Sequence, residues 1–523
     1  MLRAGGVGVS DAGAFHQVGE RVLFEEFAGF VVHPRPHFLE HAVPLAVVVG
    51  FEMLFKWTFD CAHDVSKGDF VGRSGEHVAA PHAALGPHDA GAFHCEQDLL
   101  EVGLGKPGAF RDFLHRCWAV GFVERQAEQR TGGVVAAGRD LHAAHASTCR
   151  GLFGENEAMS DPIHPDFGGA NTSALVPALL GITAAPWLPG PVMGARSTVL
   201  LVVDGLGWDA LAARRDRLAT LGAMEGGSIT TVVPSTTATV LTSIVTGLPP
   251  GNHGIVGFRF PVDGHVLNAL RWHTDDNTHA PNPSDVQRHP PFCNRVVPVV
   301  SKSEYRGTGF TRAHMRDAHY VGWSTVAVLV EHIRRQVSAG ERLVYAYYPG
   351  VDSVAHEFGL HNEFYERELD DVDALIDRLL AVLPRDCALL VTADHGQVDT
   401  SDPDAWIEVG ELAPLVAMSA GEARFRQLFA PKGAQRELLD AARAFAGDRA
   451  WVFSRKELID GGWFGPEVAR GVAGRIGDVV LAARAHFGFI DPAYPRESNL
   501  KSAHGSLTAN EMLVPLLAAR GRA

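Results

Sequence analysis

Three stretches of this chain share one design, an apolar run that delivers an aspartate beside a glycine-containing turn: "STVLLVVDGLGW", "RLVYAYYPGVDS" and "CALLVTADHGQ". Near-continuous Val, Leu and Tyr mark strands buried on both faces, and a polar residue closing such a run sits at the strand's C-terminal edge. Between the second and third runs, "EFYERELDDVDALIDRLLAVL" puts Leu369, Val372, Leu375, Ile376 and Leu379 on one stripe of an amphipathic helix. Strands alternating with helices predict an α/β fold with a mostly parallel central sheet flanked by helices. "GDVVLAARAHFGFI" reads as a further strand, and residues 401–472 as a small inserted cap region.

In open α/β sheets, ligands bind outside the carboxyl ends of the strands. Asp204, Asp352 and Asp394 are therefore expected to converge on one crevice. His395 follows Asp394 directly, and His356 lies four residues after Asp352, on the same face if "DSVAH" is helical. His504 occurs in "KSAHGSLTANEM". Taken singly, a strand-end Asp more often caps the next helix, and a lone His is usually a satisfied surface or core residue. Jointly, three Asp and three His make two sets of three nitrogen and oxygen ligands. That suits two divalent metal ions of the Zn2+ type, each with an open position. Such a pair can clamp the attacking and leaving oxygens of a phosphoryl displacement.

A second feature asks for a nucleophile. "TTVVPSTTATVLTSIVTG", Thr230–Gly247, holds seven threonines and two serines. After a strand "SITTVV", Pro234 breaks the ladder and a helix begins, its N-terminal N–H groups open to an anion. A threonine there, ionised by a metal, could attack phosphorus and form a covalent intermediate. Thr236 and Thr237 both qualify locally; the other hydroxyls read as helix caps.

Composition limits the partners. A formal charge of -15 argues against a nucleic-acid duplex, although a bound metal can invert the local field for a small anion. Six cysteines without a CxxC pair give neither a zinc ribbon nor a disulfide framework. No export signal stands at Met1, and "HAVPLAVVVGFEMLF" is too short and interrupted to span a bilayer, so a cytoplasmic protein without membrane attachment is expected. Residues 1–158 contain no Tyr and no Ile but half of the phenylalanines and four of the six cysteines. This composition fits an atypical N-terminal extension better than a selected core, and even upstream sequence translated ahead of a natural start at Met159. His88, His94 and Cys95 match no metal spacing with a mechanism. The catalytic unit is expected over 159–523.

"VVDGLGWD", "PSTTATVLTSIVTGLPPGNHGIVG", "YYPGVDSVAH", "TADHG" and "AHGSLT" follow the order seen in the alkaline phosphatase superfamily. The chain most resembles its type I phosphodiesterase/nucleotide pyrophosphatase branch, from about Ser197 to the C-terminus. The resemblance implies an alkaline phosphatase-like core and a threonine nucleophile ten residues before the glycine of the closing "TG", which falls on Thr237. It further implies one zinc at Asp204, Asp394 and His395 beside Thr237, and another at Asp352, His356 and His504. The implied activity is two-metal hydrolysis of phosphodiester or nucleotide pyrophosphate bonds through a phospho- or nucleotidyl-threonine, on a small phosphate ester or nucleotide.

Two departures stand out. The family's "FPNH" after the nucleophile is "ATVL" here, and its phosphoryl-contacting Asn is replaced by Phe258, with Arg259 as a substitute donor. Alternatives within the superfamily are a phosphomonoesterase or a phosphonate hydrolase. Outside it stands a non-catalytic metal- or nucleotide-binding protein on the same fold. Sulfatases are disfavoured by the lack of a CxPxR or SxPxR segment, and the superfamily's phosphoglycerate mutases attack with serine.

Overall fold

A computed structural model describes residues 161–523 of the chain. The expectations for residues 1–158, including His88, His94 and Cys95 and the start at Met159, lie outside the described residues. Seven strands form the central sheet: β1 (Ser197–Val203), β2 (Glu225–Thr230), β3 (Pro298–Lys302), β4 (His319–Trp323), β5 (Leu343–Tyr348), β6 (Cys387–Thr392) and, after the four strands of a second sheet, β11 (Leu513–Arg520). Their order is β2-β11-β6-β1-β5-β3-β4. β1 runs parallel to both β5 and β6, and β3 parallel to β4 and β5; only β11 is reversed, against β6 and β2. The mostly parallel sheet expected from the apolar runs is present, flanked by helices.

β1 and β6 are buried at every position. Sealing a Val or Leu side chain contributes about 1.5–3 kcal/mol against exposure, which is why a run without polar interruption takes the middle of the sheet. The helices that matter for the site are α1 (Thr237–Thr246), α2 (Gly350–Phe358) and α3 (Glu363–Val382). α3 starts where Asn362 Oδ1 accepts from the Phe364 and Tyr365 amides, and its stripe from Leu369 to Leu379 is buried.

The second sheet is built from β7 (Met418–Glu422), β8 (Phe425–Phe429), β9 (Ala450–Ser454) and β10 (Val479–Ala483), in the order β7-β8-β10-β9 and antiparallel throughout. Helix α4 (Gln435–Ala446) lays Leu438, Ala442 and Ala446 on it, making a separate apolar cluster with Leu428, Leu481 and Phe489. The strand read in "GDVVLAARAHFGFI" is β10, a member of this sheet and not of the central one.

Two local expectations are corrected. The strand before Pro234 ends at Thr230, because β11, its partner, begins opposite that residue and Thr231 N instead meets the Met512 carbonyl. The hydroxyls of α1 are not caps. All ten residues of this helix are buried, so its hydroxyls depend on internal partners, and Thr239 Oγ1 lacks one. Thr242 and Thr246 bond back to the carbonyls four residues earlier, and Ser243 meets His253 Nε2 at 2.8 Å. Among the described residues no helix is long and apolar enough to cross a membrane.

Candidate active site

Strand register brings the acids level. Val202 pairs with Thr392, so Asp204 and Asp394 each stand two residues beyond that pair at the same edge. Val203 pairs with Tyr348, and the amide of Asp352, in the first turn of α2, reaches the Asp204 carbonyl at 3.1 Å. The turn after Asp204 depends on Gly205, at φ 75°, where a Cβ would stand 2.4 Å from Gln397 Nε2 and 2.9 Å from the Asp352 backbone.

The three histidines are held alike. His395 Nδ1 lies 3.0 Å from the Gly396 carbonyl, His356 Nδ1 2.8 Å from that of Ser502, and His504 Nδ1 3.0 Å from that of Ser235. A carbonyl only accepts, so each Nδ1 carries the proton and each Nε2 presents a lone pair. Those lone pairs face carboxylate oxygens. His395 Nε2 is 3.5 Å from Asp204 Oδ1 and 3.4 Å from Asp394 Oδ2; His356 Nε2 is 3.3 Å from Asp352 Oδ1, and His504 Nε2 is 3.9 Å from it. Asp204 Oδ1 and Asp394 Oδ2 are buried with no hydrogen-bond partner. The His395 and His504 rings stack with centroids 3.6 Å apart.

Lone pairs set against buried carboxylate oxygens repel unless a cation lies between them. Burial, then the charges of Asp394 and Asp352, pushes the Asp204 carboxyl well above the usual carboxylate range, against the opposing hydrogen bond from Tyr347. Burial raises Asp394 too, and holds the His504 imidazole well below its ordinary value, with His395 and His356 adding to the effect. A metal ion relieves all of these at once, and the donor set is of the kind zinc takes. Asp352, His356 and His504 offer ligand atoms within 4.8 Å of one another, as do Asp204, Asp352 and His395. Asp352 thus falls in both groups, while Asp394 stands beside the second through His395.

Thr237 Oγ1 donates to His395 Nε2 at 3.1 Å and stands at the first position of α1, where backbone N–H groups lack intrahelical acceptors. Thr236 occupies the N-cap position, but its side chain makes no capping bond. Thr237 and Asp352 border two cavities. One, of about 220 Å³, is walled by Asp204, Ser301, Tyr305, Phe310, His314 and Tyr347 among others. The other, of about 280 Å³, is walled by Thr236, Phe258, His356, Glu422, Glu497 and His504 among others. All seven residues singled out in the sequence meet at this edge.

Several neighbours have no sequence signal of their own. Gln397 Nε2 donates to Asp352 Oδ1 at 2.8 Å while its Oε1 accepts from Ser502, and the Tyr347 hydroxyl donates to Asp204. Glu422 comes from β7, and burial pushes its carboxyl up to about 8 despite a hydrogen bond from Thr236. Arg259 is not a free substitute for the missing Asn. Its guanidinium is engaged by Glu497 at 2.6 Å and Asp275 at 3.4 Å, over the Tyr494 ring. Phe258 itself lines the second cavity.

A family model described as type I phosphodiesterase / nucleotide pyrophosphatase matches residues 198–507, more than half of the chain. The chain belongs to this family. It is thereby a phosphoric ester hydrolase by kinship and a member of the metal-dependent alkaline phosphatase superfamily. Among solved structures, murine ectonucleotide pyrophosphatase / phosphodiesterase 5 is similar at a TM-score of 0.50 and 18% identity, over 62% of this chain and 88% of that one. An inactive form of the murine protein, in complex with AMP, scores 0.48 at 18% identity, over 61% and 87%. Phosphonoacetate hydrolase from Sinorhizobium meliloti 1021, in complex with phosphonoacetate, scores 0.45 at 18% identity, over 63% and 91%. At such identity the likeness is one of fold. No curated protein matches the chain.

Proposed function

We propose that this family member hydrolyses phosphodiester or nucleotide pyrophosphate bonds in small cytoplasmic substrates, with Thr237 as nucleophile. One observation carries the proposal: three imidazole Nε2 lone pairs converge on the carboxylate oxygens of Asp204, Asp394 and Asp352, the first two buried and unpaired, with the Thr237 hydroxyl among them. Asp204, Asp394 and His395 would hold one divalent ion, and Asp352, His356 and His504 another, with Asp352 within reach of both and zinc the expected metal. Bound there, the two cations would promote ionisation of the threonine, the departing oxygen and the hydrolytic water, and offset the phosphoryl charge.

Thr237 Oγ1 gives up its proton and forms the bond to phosphorus as the bond to the opposite oxygen breaks; that oxygen leaves as an alcohol or phosphate once protonated. Water then attacks phosphorus, the Thr237 O–P bond breaks, and the hydroxyl regains its proton. The N-terminal amides of α1 would offer donors to the phosphoryl oxygens, where Phe258 offers none. His395, His356 and His504 are held in one tautomer by the carbonyls at Nδ1, so none needs to reorient.

Two cavities meeting at Thr237 and Asp352 favour a diester over a monoester, since a diester carries an organic group on each side of phosphorus. The full chain, treated with a chelator and reloaded with zinc, tests this on bis-p-nitrophenyl phosphate, p-nitrophenyl phosphate and the p-nitrophenyl ester of thymidine monophosphate. Diester hydrolysis should fall by at least about a hundredfold on metal removal and return with zinc. Preference for the monoester would replace the proposal with its phosphatase rival, and metal uptake without turnover would leave a binding protein.

A further inference from the structure

In the cavity of about 280 Å³, two carboxyls are contributed from outside the metal-facing set, and they differ in kind. Glu497 is neutralised: its Oε1 accepts from Arg259 Nη1 at 2.6 Å and its Oε2 from Arg426. Glu422 is not. Its residue is only 7% exposed, and Oε1 is buried with no partner at all. The side chain is pressed against the loop that carries His504: a Cβ on Gly505, at φ 119°, would lie 2.7 Å from Glu422 Cδ. The glycine therefore makes room for this carboxyl to stand beside the histidine. A buried acceptor left unpaired is unfavourable in the free protein, and it becomes favourable when a ligand brings a donor to it.

This cavity is also the one that holds His356 and His504, whereas Asp204 and Tyr347 line the other. This inference rests on the function proposed above: Thr237 touches His395, so in an in-line displacement the departing oxygen would lie toward Asp352, His356 and His504. We infer that Glu422 determines leaving-group specificity by accepting a hydrogen bond from a hydroxyl or ammonium group on the departing alcohol. The preferred substrates are then diesters of polyols or amino alcohols. Either protonation form of a carboxyl has an oxygen able to accept, so the discrimination does not depend on Glu422 being ionised. A site built around a polar partner rejects the analogue that lacks it far more strongly than a hydrophobic pocket rejects an added group.

The test uses three esters of thymidine monophosphate with departing alcohols of matched length: ethylene glycol, 2-aminoethanol and propan-1-ol. For the zinc-loaded full chain, kcat/KM for the glycol and aminoethyl esters should exceed that for the propyl ester by at least about tenfold. Glu422→Leu should bring the three within about threefold of one another, while the p-nitrophenyl ester of thymidine monophosphate, whose leaving group has no donor, is still hydrolysed. Glu422→Gln, the variant closest in shape, has an amide oxygen that still accepts and should keep the preference for both the glycol and the aminoethyl ester over the propyl ester. In a Thr237→Ala background, calorimetric Kd values for the intact esters should rank in the same order and lose that order with Glu422→Leu. Equal wild-type rates on the three esters, or ratios unchanged in Glu422→Leu, would overturn the inference. Absence of any diester turnover by wild type would instead overturn the function it rests on.

Discussion

Thr237→Ala is expected to lower diester turnover by at least about a thousandfold, the scale on which loss of a covalent nucleophile is felt. The residue stands at the head of α1, where alanine is an excellent helix former, so folding should be preserved. Its hydroxyl is the one in the stretch that reaches His395 Nε2, at 3.1 Å, and it borders both cavities. Thr236→Ala makes the control. Thr236 precedes the helix with extended backbone, its side chain caps nothing, and it borders only the second cavity. Its loss should change turnover by no more than about threefold, since no bond at the reacting atoms is removed. Steady-state rates on bis-p-nitrophenyl phosphate give the comparison, and acid-quenched mass spectrometry should find the phosphoryl adduct on the peptide with Thr237 and not in the alanine variant. If Thr236→Ala proved inactive and Thr237→Ala active, the nucleophile would have been assigned to the wrong hydroxyl.

How much of this was legible in the sequence depends on the distance over which each signal acts. The acids at the strand ends could be read because an apolar run and the residue that closes it are neighbours in the chain, and parallel register does the rest. Asp204 and Asp394 needed nothing more than β1 and β6 side by side. His356 followed from one helical turn after Asp352. A polar side chain in isolation suggests a surface or a cap, whereas α1 is sealed along its whole length: Thr242 and Thr246 bond back along it, and Thr239 Oγ1 has no partner. Glu422, Gln397 and Tyr347 gave no signal because their roles arise from contacts tens or hundreds of residues away. In "GEARFRQL", strand alternation places Phe425 on one face and Arg424 and Arg426 on the other, which ordinarily means that the arginines face solvent. Both are fully buried. Phe425 packs into the core on one side, and the other side of β8 is covered by the segments that carry Glu497 and Glu511, a fact that no local pattern encodes.

That covered face leads to the largest expected effect on stability. Arg424 meets Glu511 through Nε at 2.8 Å and Nη2 at 2.9 Å, both side chains wholly buried. Two parallel bonds of this kind fix a carboxylate more firmly than a single contact. Glu511 also accepts from Ser506 N at 2.9 Å and from the Thr508 hydroxyl at 2.6 Å, while its own carbonyl takes the Gly396 amide at 3.0 Å. The pair therefore ties the second sheet to the His504 loop and to the turn after His395. Removing one partner strands a buried charge, so Arg424→Met or Glu511→Gln should each lower unfolding free energy by roughly 3–5 kcal/mol. The double variant Arg424→Met/Glu511→Gln should cost less than the two single changes added together, because it leaves no charge unpaired. Urea unfolding of the full chain and its variants, followed by tryptophan fluorescence, measures this cycle. Zinc affinity should fall with Glu511→Gln in the folded protein, since His504 sits two residues from the amide that Glu511 holds. Single variants within about 1 kcal/mol of wild type would mean that the ion pair merely fills space, and that the His504 loop is positioned by Ser235 and Gly505 alone.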